Sequence, residues 1–193
     1  MLPSKVTPAL SGLPTPSATF TGRDAHVEEL LHALAPRKEQ QAVPQPSRIA
    51  VAGLAGVGKT ELVVQVAARA LCEPNSFPGG VLFIDLLGYD PERQLSPERV
   101  LDGFLRALGI SGEHLPDGLQ DLQRLYRSVL AALAHKGRRI LVVVDSASST
   151  DQVTPLLPTD GMTAVLTTSR HALNIDARLH DLNVLDTNED PPS

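Results

Sequence analysis

The sequence predicts an α/β fold of three layers, in which a five-stranded parallel sheet lies between helices on both faces. Short apolar, β-branched segments alternate along the chain with segments whose apolar residues recur at helical spacing. That alternation is typical of parallel sheets with helical crossovers. The centre of residues 138–146 is entirely apolar, which predicts a middle strand that is buried on both faces.

The composition fits one such domain. Apolar residues make up 42% of the 193 residues, aromatic residues only 3%, and Trp is absent, so we expect an aliphatic core. The net charge of −5 argues against direct nucleic-acid binding as the default role. No segment approaches the roughly 20 apolar residues that span a bilayer, and the single cysteine excludes an internal disulfide. We therefore expect a cytoplasmic protein that does not enter membranes.

The predicted elements follow from periodicity and from capping residues. Helix starts are expected at Asp24 and at Ser96, and Gly109 is expected to end the helix that Ser96 begins. The predicted strands are 48–53, 80–86, 138–146, 163–170 and 182–186. The predicted helices are 24–35, 60–71, 96–109 and 117–137.

Three regions are expected along the chain. Residues 1–19 are rich in Pro, Ser and Thr, which predicts a flexible N-terminal arm. Residues 20–186 form the predicted folded domain, and residues 187–193 read as a tail.

The stretch GLAGVGKTEL, residues 53–62, carries the strongest chemical signal. It satisfies the phosphate-loop pattern G-x-x-x-x-G-K-[ST] and lies between a predicted strand and a predicted helix, as the P-loop NTPase mechanism requires. The glycines let backbone N–H groups converge on phosphate oxygens, and Lys59 supplies a positive charge. The alternative is a glycine-rich turn without a ligand. The candidate phosphate-binding residues are Gly53, Leu54, Ala55, Gly56, Val57, Gly58, Lys59, Thr60 and Glu61.

Asp145 and Thr60 are the candidate ligands for Mg²⁺. Asp145 ends the apolar strand ILVVVD, at the sheet edge where open α/β folds bind ligands. The Thr60 hydroxyl follows the phosphate-loop lysine, which is the position that contacts the metal in such loops. The alternative for Asp145 is that it caps the next turn.

The residues after Asp145 predict slow hydrolysis at most. Residues 146–149 are Ser, Ala, Ser and Ser, so no second acid stands beside Asp145 to polarise a water molecule. Asp85 ends the second predicted strand and either reaches such a water or forms a turn. Arg170 ends the fourth predicted strand and is a candidate sensor of the γ-phosphate, with an exposed surface arginine as the alternative.

The histidines show no spacing typical of a metal site. None of the six belongs to an H-E-x-x-H pattern or a similar one, so we expect solvated or capping side chains. The histidines are His26, His32, His114, His135, His171 and His180.

Together these motifs resemble the NB-ARC group of STAND ATPases, which are nucleotide-dependent switches. The likeness is greatest to bacterial regulators that combine such a domain with tetratricopeptide repeats. It rests on FTGRDAHVEEL (20–30), the phosphate loop, FPGGVLFIDLLGYDP (77–91), ILVVVDSASSTDQVTPLLP (140–158) and AVLTTSR (164–170).

The resemblance implies the strand order 5-1-4-3-2 and the binding of ATP or ADP with Mg²⁺. It places Phe20, Gly22 and Arg23 near the base. It also gives catalytic or sensing roles to Lys59, Asp145 and Arg170, with Arg170 on the γ-phosphate.

The resemblance also implies partners outside this sequence. A helical lid and a winged-helix domain would follow residue 186, effector and sensor domains would flank them, and nucleotide would control homo-oligomerisation. Two other functions stay open at this point. One is an actively hydrolysing AAA+-like ATPase or small-molecule kinase, and the other is a degenerate nucleotide-binding fold that serves as a scaffold.

Overall fold

The computed structural model describes residues 12–36 and 47–183, and its elements follow the predicted alternation. The strands are β1 (Arg48–Ala52), β2 (Gly80–Asp85), β3 (Ile140–Ala147), β4 (Ala164–Ser169) and β5 (Arg178–Asp181). The helices are α1 (Asp24–Leu34), α2 (Lys59–Cys72), α3 (Pro97–Ala107), α4 (Leu119–His135) and α5 (Thr150–Val153). Short 3₁₀ turns at Gly112–His114 and Thr154–Leu156 complete the described elements.

All five strands are parallel, in the order β2-β3-β4-β1-β5, which confirms the predicted order read from the other edge. The strand β4 lies beside β1, with Ser169 opposite Ala52. The strand β3 lies on the other side of β4, so the ends of β1, β4 and β3 meet at one edge of the sheet. The phosphate loop, Arg170 and Asp145 follow or end these three strands, and the topology therefore brings them together.

The core has two halves, one on each face of the sheet, which confirms the three-layer architecture. Helices α1 and α2 cover one face, and α3, α4 and α5 cover the other. Successive residues of β3 alternate between the halves, with Leu141 and Val143 on the α2 side and Val142 and Val144 on the α4 side. This is why the β3 sequence is continuously apolar.

The position of the fifth strand was predicted wrongly. We expected it at residues 182–186, but β5 spans Arg178–Asp181. The burial pattern explains the error, because β5 is an edge strand in which only His180 is buried. Such a strand lacks an apolar pattern, whereas the residues just after it are apolar. Leu182 still pairs with β1 through its N–H, which donates to the Ala52 carbonyl at 2.7 Å, and residues 184–186 lie outside the described range.

The helix ends agree with the sequence except at α1. Ser96 caps α3, its hydroxyl accepting from the Arg99 N–H at 3.4 Å, and Gly109 follows that helix with φ +94°. At α1, Arg23 holds the cap position and no side chain caps the helix. Asp24 is instead the first helical residue, and its carboxylate accepts from Arg69 at 3.2 Å.

Residues 12–19 run along the start of α2 without regular secondary structure. The Ser17 N–H donates to Glu61 Oε1 at 2.7 Å, and Gln65 Nε2 donates to the Ser17 carbonyl at 2.8 Å. Leu13 packs against the α1–α2 half of the core. Residues 1–11 and the predicted tail, 187–193, lie outside the described residues. Within the ranges that the structure describes, no helix is long and apolar enough to cross a bilayer.

Candidate functional site

The phosphate loop curls between β1 and α2 with the backbone that such loops require. Gly56 and Gly58 have φ +77° and +88°, a region that side-chain-bearing residues rarely adopt. Gly53 is needed for a different reason, since a Cβ there would collide with the carbonyl oxygen of Leu182. The loop delivers the chain into the first turn of α2, whose free N–H groups suit an anion.

Lys59 lies over the loop that it follows. Its Nζ donates to the carbonyls of Gly53 and Leu54, both at 2.7 Å. Burial lowers the pKa of Lys59, and the nearby Asp145 carboxylate opposes that shift. The ammonium group is thus held at the mouth of the loop by weak partners that a phosphate can replace.

Asp145 is buried beneath the loop, where three hydroxyl groups surround its carboxylate. Thr60 Oγ1 donates to Oδ2 at 2.7 Å, Thr168 Oγ1 donates to Oδ1, and Ser146 Oγ lies 3.4 Å from Oδ2. The pairing of β3 with β4 shifts register between Val144 and Ala147, so Asp145 sits in a β-bulge. Such bulges aim side chains at active sites. Ser146, at φ +56°, donates its N–H to Thr168 Oγ1 at 2.8 Å and fixes the bulge.

Arg170 follows β4 and is stacked on Tyr89. Its guanidinium carbon is 3.9 Å from the centre of the Tyr89 ring. The Tyr89 hydroxyl accepts the Arg170 N–H at 2.7 Å and donates to the Ala147 carbonyl at 2.8 Å. Tyr89 therefore joins the loop after β2 to the ends of β3 and β4.

Lys59, Thr60 and Arg170 line one open pocket of about 460 Å³, and the buried Asp145 is joined to it through Thr60. The loop residues and the candidate sensor lie on its walls, together with four residues from the ends of other strands and from the loop after β2. Its lining residues are Ala55, Gly56, Gly58, Lys59, Thr60, Glu61, Tyr89, Ser146, Thr168, Ser169 and Arg170.

The acids near this pocket are engaged in local structure. Of the described residues that line it, Glu61 is the one acid, and its Oε1 accepts from Ser17 and Gln65. Asp85 accepts from the Leu87 N–H at 2.9 Å, which makes it a turn former at the end of β2. Neither carboxylate has the free, adjacent position of a general base.

A second pocket of about 280 Å³ lies on the other side of the loop and also touches Arg170. Gly53, Leu54 and Val57 line it, together with residues 181–183.

The residues expected to lie near the base cluster at the start of α1. Arg23 is 4% exposed, and its Nη2 donates to the Asn183 carbonyl at 3.1 Å. Its Nη1 is buried and has no hydrogen-bond partner among the described residues. Phe20 packs against the α1–α2 half of the core, and Gly22 turns the chain into α1 at φ +76°.

The sequence can also be compared with known families. A family model described as the AAA ATPase domain matches residues 19–171, most of the chain. The chain belongs to this AAA ATPase family. The match includes the phosphate loop, Asp145 and Arg170, and it ends just before β5.

Two curated relatives that contain a segment similar to this AAA ATPase domain are described as regulatory proteins. The chain is 43% identical over 176 residues to the regulatory protein AfsR of Streptomyces coelicolor, which covers 90% of the chain. It is 42% identical over 179 residues to AfsR of Streptomyces griseus, which covers 92% of the chain. The chain spans 17% of the length of each relative. It is thus similar to one segment of a much longer regulator.

Solved structures confirm the AAA ATPase fold. The Aeropyrum pernix ORC2 protein, solved as ADPNP–ADP complexes, aligns with a TM-score of 0.55 at 15% identity over 88% of this chain and 50% of its own. CDC6P from Pyrobaculum aerophilum aligns with a TM-score of 0.55 at 13% identity over 89% of this chain and 47% of its own. At these identities the likeness concerns the fold alone.

Sequence reasoning located the loop, Asp145 and Arg170 but missed two residues of the candidate site. Thr168 sits two residues before Arg170 in the segment TTSR, and Tyr89 sits in LLGYDP. A hydroxyl residue and an aromatic residue next to strand ends were the available signals. Their contacts span 23 and 81 residues of sequence, so only the fold identifies their partners.

Proposed function

We propose that this AAA ATPase domain binds ATP or ADP with Mg²⁺ and works as the nucleotide-sensing switch of a STAND-type regulator. The observation that carries the proposal is that Lys59, Thr60 and Arg170 line one pocket at the phosphate loop, with the buried Asp145 hydrogen-bonded to Thr60. The regulatory relatives and the ADPNP–ADP complexes of the ORC2 neighbour support it.

The donor set fits a Mg–nucleotide complex. The N–H groups of the loop and of the first turn of α2 would hold the phosphates, with Lys59 releasing its two carbonyl partners to reach them. Thr60 and Asp145 offer adjacent oxygen atoms, which are the ligands that Mg²⁺ prefers. When bound, the ion supplies positive charge that offsets the negative charge of the phosphates.

The base would lie on the side of Phe20, Gly22 and Arg23, near the smaller pocket. The buried Nη1 of Arg23, which has no partner among the described residues, supports this placement, because a buried donor without a partner costs stability. A polar ligand at that side would supply the missing partner.

The arrangement favours slow hydrolysis. Glu61 accepts hydrogen bonds from Ser17 and Gln65, Asp85 accepts one from Leu87, and a serine follows Asp145. Lys59 and Arg170 can stabilise charge that develops on phosphate, but no positioned carboxylate is at hand among the described residues to orient the attacking water. Bound ATP would therefore be hydrolysed slowly and would persist in the site.

Direct nucleotide titration tests the binding site. We expect fluorescent ADP and a non-hydrolysable ATP analogue to bind the chain in Mg²⁺, and Lys59→Ala to weaken binding at least about tenfold, since a charged hydrogen bond contributes roughly 1.5–3 kcal/mol. Lys136→Ala is the matched control, because Lys136 follows α4 at the opposite end of the sheet. Equal affinity in the wild type and in Lys59→Ala would refute the proposed site.

Turnover separates the switch from the second candidate, an actively hydrolysing ATPase, which the family match also supports. We expect fewer than about one ATP hydrolysed per second, the lower end for ordinary enzymes. Steady turnover well above that rate would favour the enzyme.

Sedimentation tests the switch itself. A larger mass in the ATP analogue than in ADP supports it, and the same mass in both contradicts it.

A further inference from the structure

Two histidines and a glutamate meet between α1 and the edge strand β5, away from the phosphate loop. His26 Nδ1 lies 2.9 Å from His180 Nε2, and the two rings stand edge to face at 87°. Glu29, almost one helical turn after His26, places Oε2 3.7 Å from His180 Nδ1. One ligand atom from each of the three residues can be chosen so that all lie within 4.8 Å of one another.

The two ring nitrogens that face each other cannot both carry a proton, because two N–H groups would repel. At least one of them presents a bare lone pair, the form that binds a metal ion. His180 is 7% exposed, so its ring is held inside the fold.

We propose that His26, Glu29 and His180 form a binding site for a divalent first-row ion of the zinc class. Two imidazoles and one carboxylate are a ligand set that Zn²⁺ accepts, with a water molecule in the fourth position. With bonds of about 2.0–2.1 Å in tetrahedral geometry, ligand atoms lie roughly 3.3 Å apart. The two histidine nitrogens need to separate by less than half an ångström, roughly, from their present 2.9 Å.

Glu29 is the ligand that moves. Its side chain is 48% exposed and its Oε1 is paired with Arg178 at 2.7 Å, which leaves Oε2 free to turn towards the histidines. The Arg178 charge opposes a cation, so we expect moderate affinity. The metal also has a defined place in the fold, since it would join α1 to β5, an edge strand with one neighbour in the sheet.

This site is separate from the oxygen ligands at Asp145. Zinc-class ions prefer imidazole, whereas Mg²⁺ prefers carboxylate and hydroxyl oxygens. Metal binding by the two histidines therefore does not depend on nucleotide binding at the phosphate loop.

A Co²⁺ titration of the untagged chain tests the site, with excess Mg²⁺ present throughout to occupy oxygen ligands. We expect one equivalent of Co²⁺ to give the strong visible absorption of a tetrahedral complex, and Zn²⁺ to abolish it by competition. His26→Ala should weaken binding at least about tenfold, because the loss of even an outer-shell partner of a metal ligand costs roughly 10–100-fold. His32→Ala is the matched control, because His32 is an exposed histidine on the same helix.

No tetrahedral band in the wild type, or equal affinity in His26→Ala, would overturn the proposal. No variant replaces His180, because it is buried and its removal could disturb the fold. Circular dichroism is recorded for every variant to check that it folds. Glu29→Gln changes an exposed side chain and keeps its shape. Glu29→Gln should weaken Zn²⁺ binding and leave the circular dichroism spectrum unchanged. Zn²⁺ affinity equal to that of the wild type in this variant would exclude Glu29 as a ligand.

Discussion

Tyr89 contacts several other residues at the pocket beside the phosphate loop. Its ring supports the Arg170 guanidinium, and its hydroxyl bridges the Arg170 N–H and the Ala147 carbonyl. Arg170 is exposed and would otherwise choose among many rotamers. Tyr89 is thus a positioning residue for the proposed γ-phosphate sensor.

We predict that Tyr89→Ala lowers the preference for ATP over ADP about tenfold, because an unsupported arginine makes a weaker charged hydrogen bond, worth roughly 1.5–3 kcal/mol. Tyr89→Phe keeps the ring and loses two hydrogen bonds, so its effect should be intermediate. The ratio of the two dissociation constants measures this. A ratio unchanged in Tyr89→Ala contradicts the positioning role.

At the scale of elements, one buried arginine joins segments that the sheet alone leaves apart. Arg139, just before β3, donates to the carbonyls of Met162, Leu34 and Ser76 at 2.7, 2.8 and 3.3 Å. Its guanidinium carbon lies 4.4 Å from the centre of the Phe77 ring. Burial lowers the pKa of Arg139 to about 10, so it stays charged at neutral pH. It ties the end of α1 to the residues that lead into β2 and β4.

We predict that Arg139→Met destabilises the domain by about 2–4 kcal/mol, since the apolar stem is kept but buried carbonyls lose their donor. Urea unfolding followed by circular dichroism measures the change. Arg124→Met is the control, because its side chain is 77% exposed and its ion pair lies on the surface. It should change stability by less than about 0.5 kcal/mol. Similar losses in both variants would contradict the role given to Arg139.

For the whole molecule, nucleotide binding should appear as added stability. A ligand at 100 times its dissociation constant stabilises the folded state by about 2.7 kcal/mol, which corresponds to roughly 5–10 °C in Tm for a domain of this size. We predict this shift with Mg-ADP and a much smaller one in Lys59→Ala. Adenosine is the control ligand, because it lacks the phosphates that the loop would hold. An equal Mg-ADP shift in the wild type and in Lys59→Ala is the opposite outcome.

Much of the fold could be predicted because its signals are local. The β3 segment is continuously apolar since both its faces are buried, and the α3 cap and stop residues act within one turn of chain. The strand β5 could not be predicted, because an edge strand buries a single side chain and leaves no pattern. The Asp24 cap failed for a similar reason, since an acid at a helix start serves equally well in the first turn.

The candidate site divides in the same way. By itself the sequence determined the phosphate loop and located Asp145 and Arg170, because glycine spacing and strand ends are recognised from residues that are close together in the sequence. Their roles as ligands stay predictions that the titrations test.

Only the tertiary structure decided which distant residues meet. It placed Tyr89 under Arg170, Thr168 against Asp145, and His26 beside His180, which is 154 residues away. Such contacts depend on strand order and register, which no local pattern encodes.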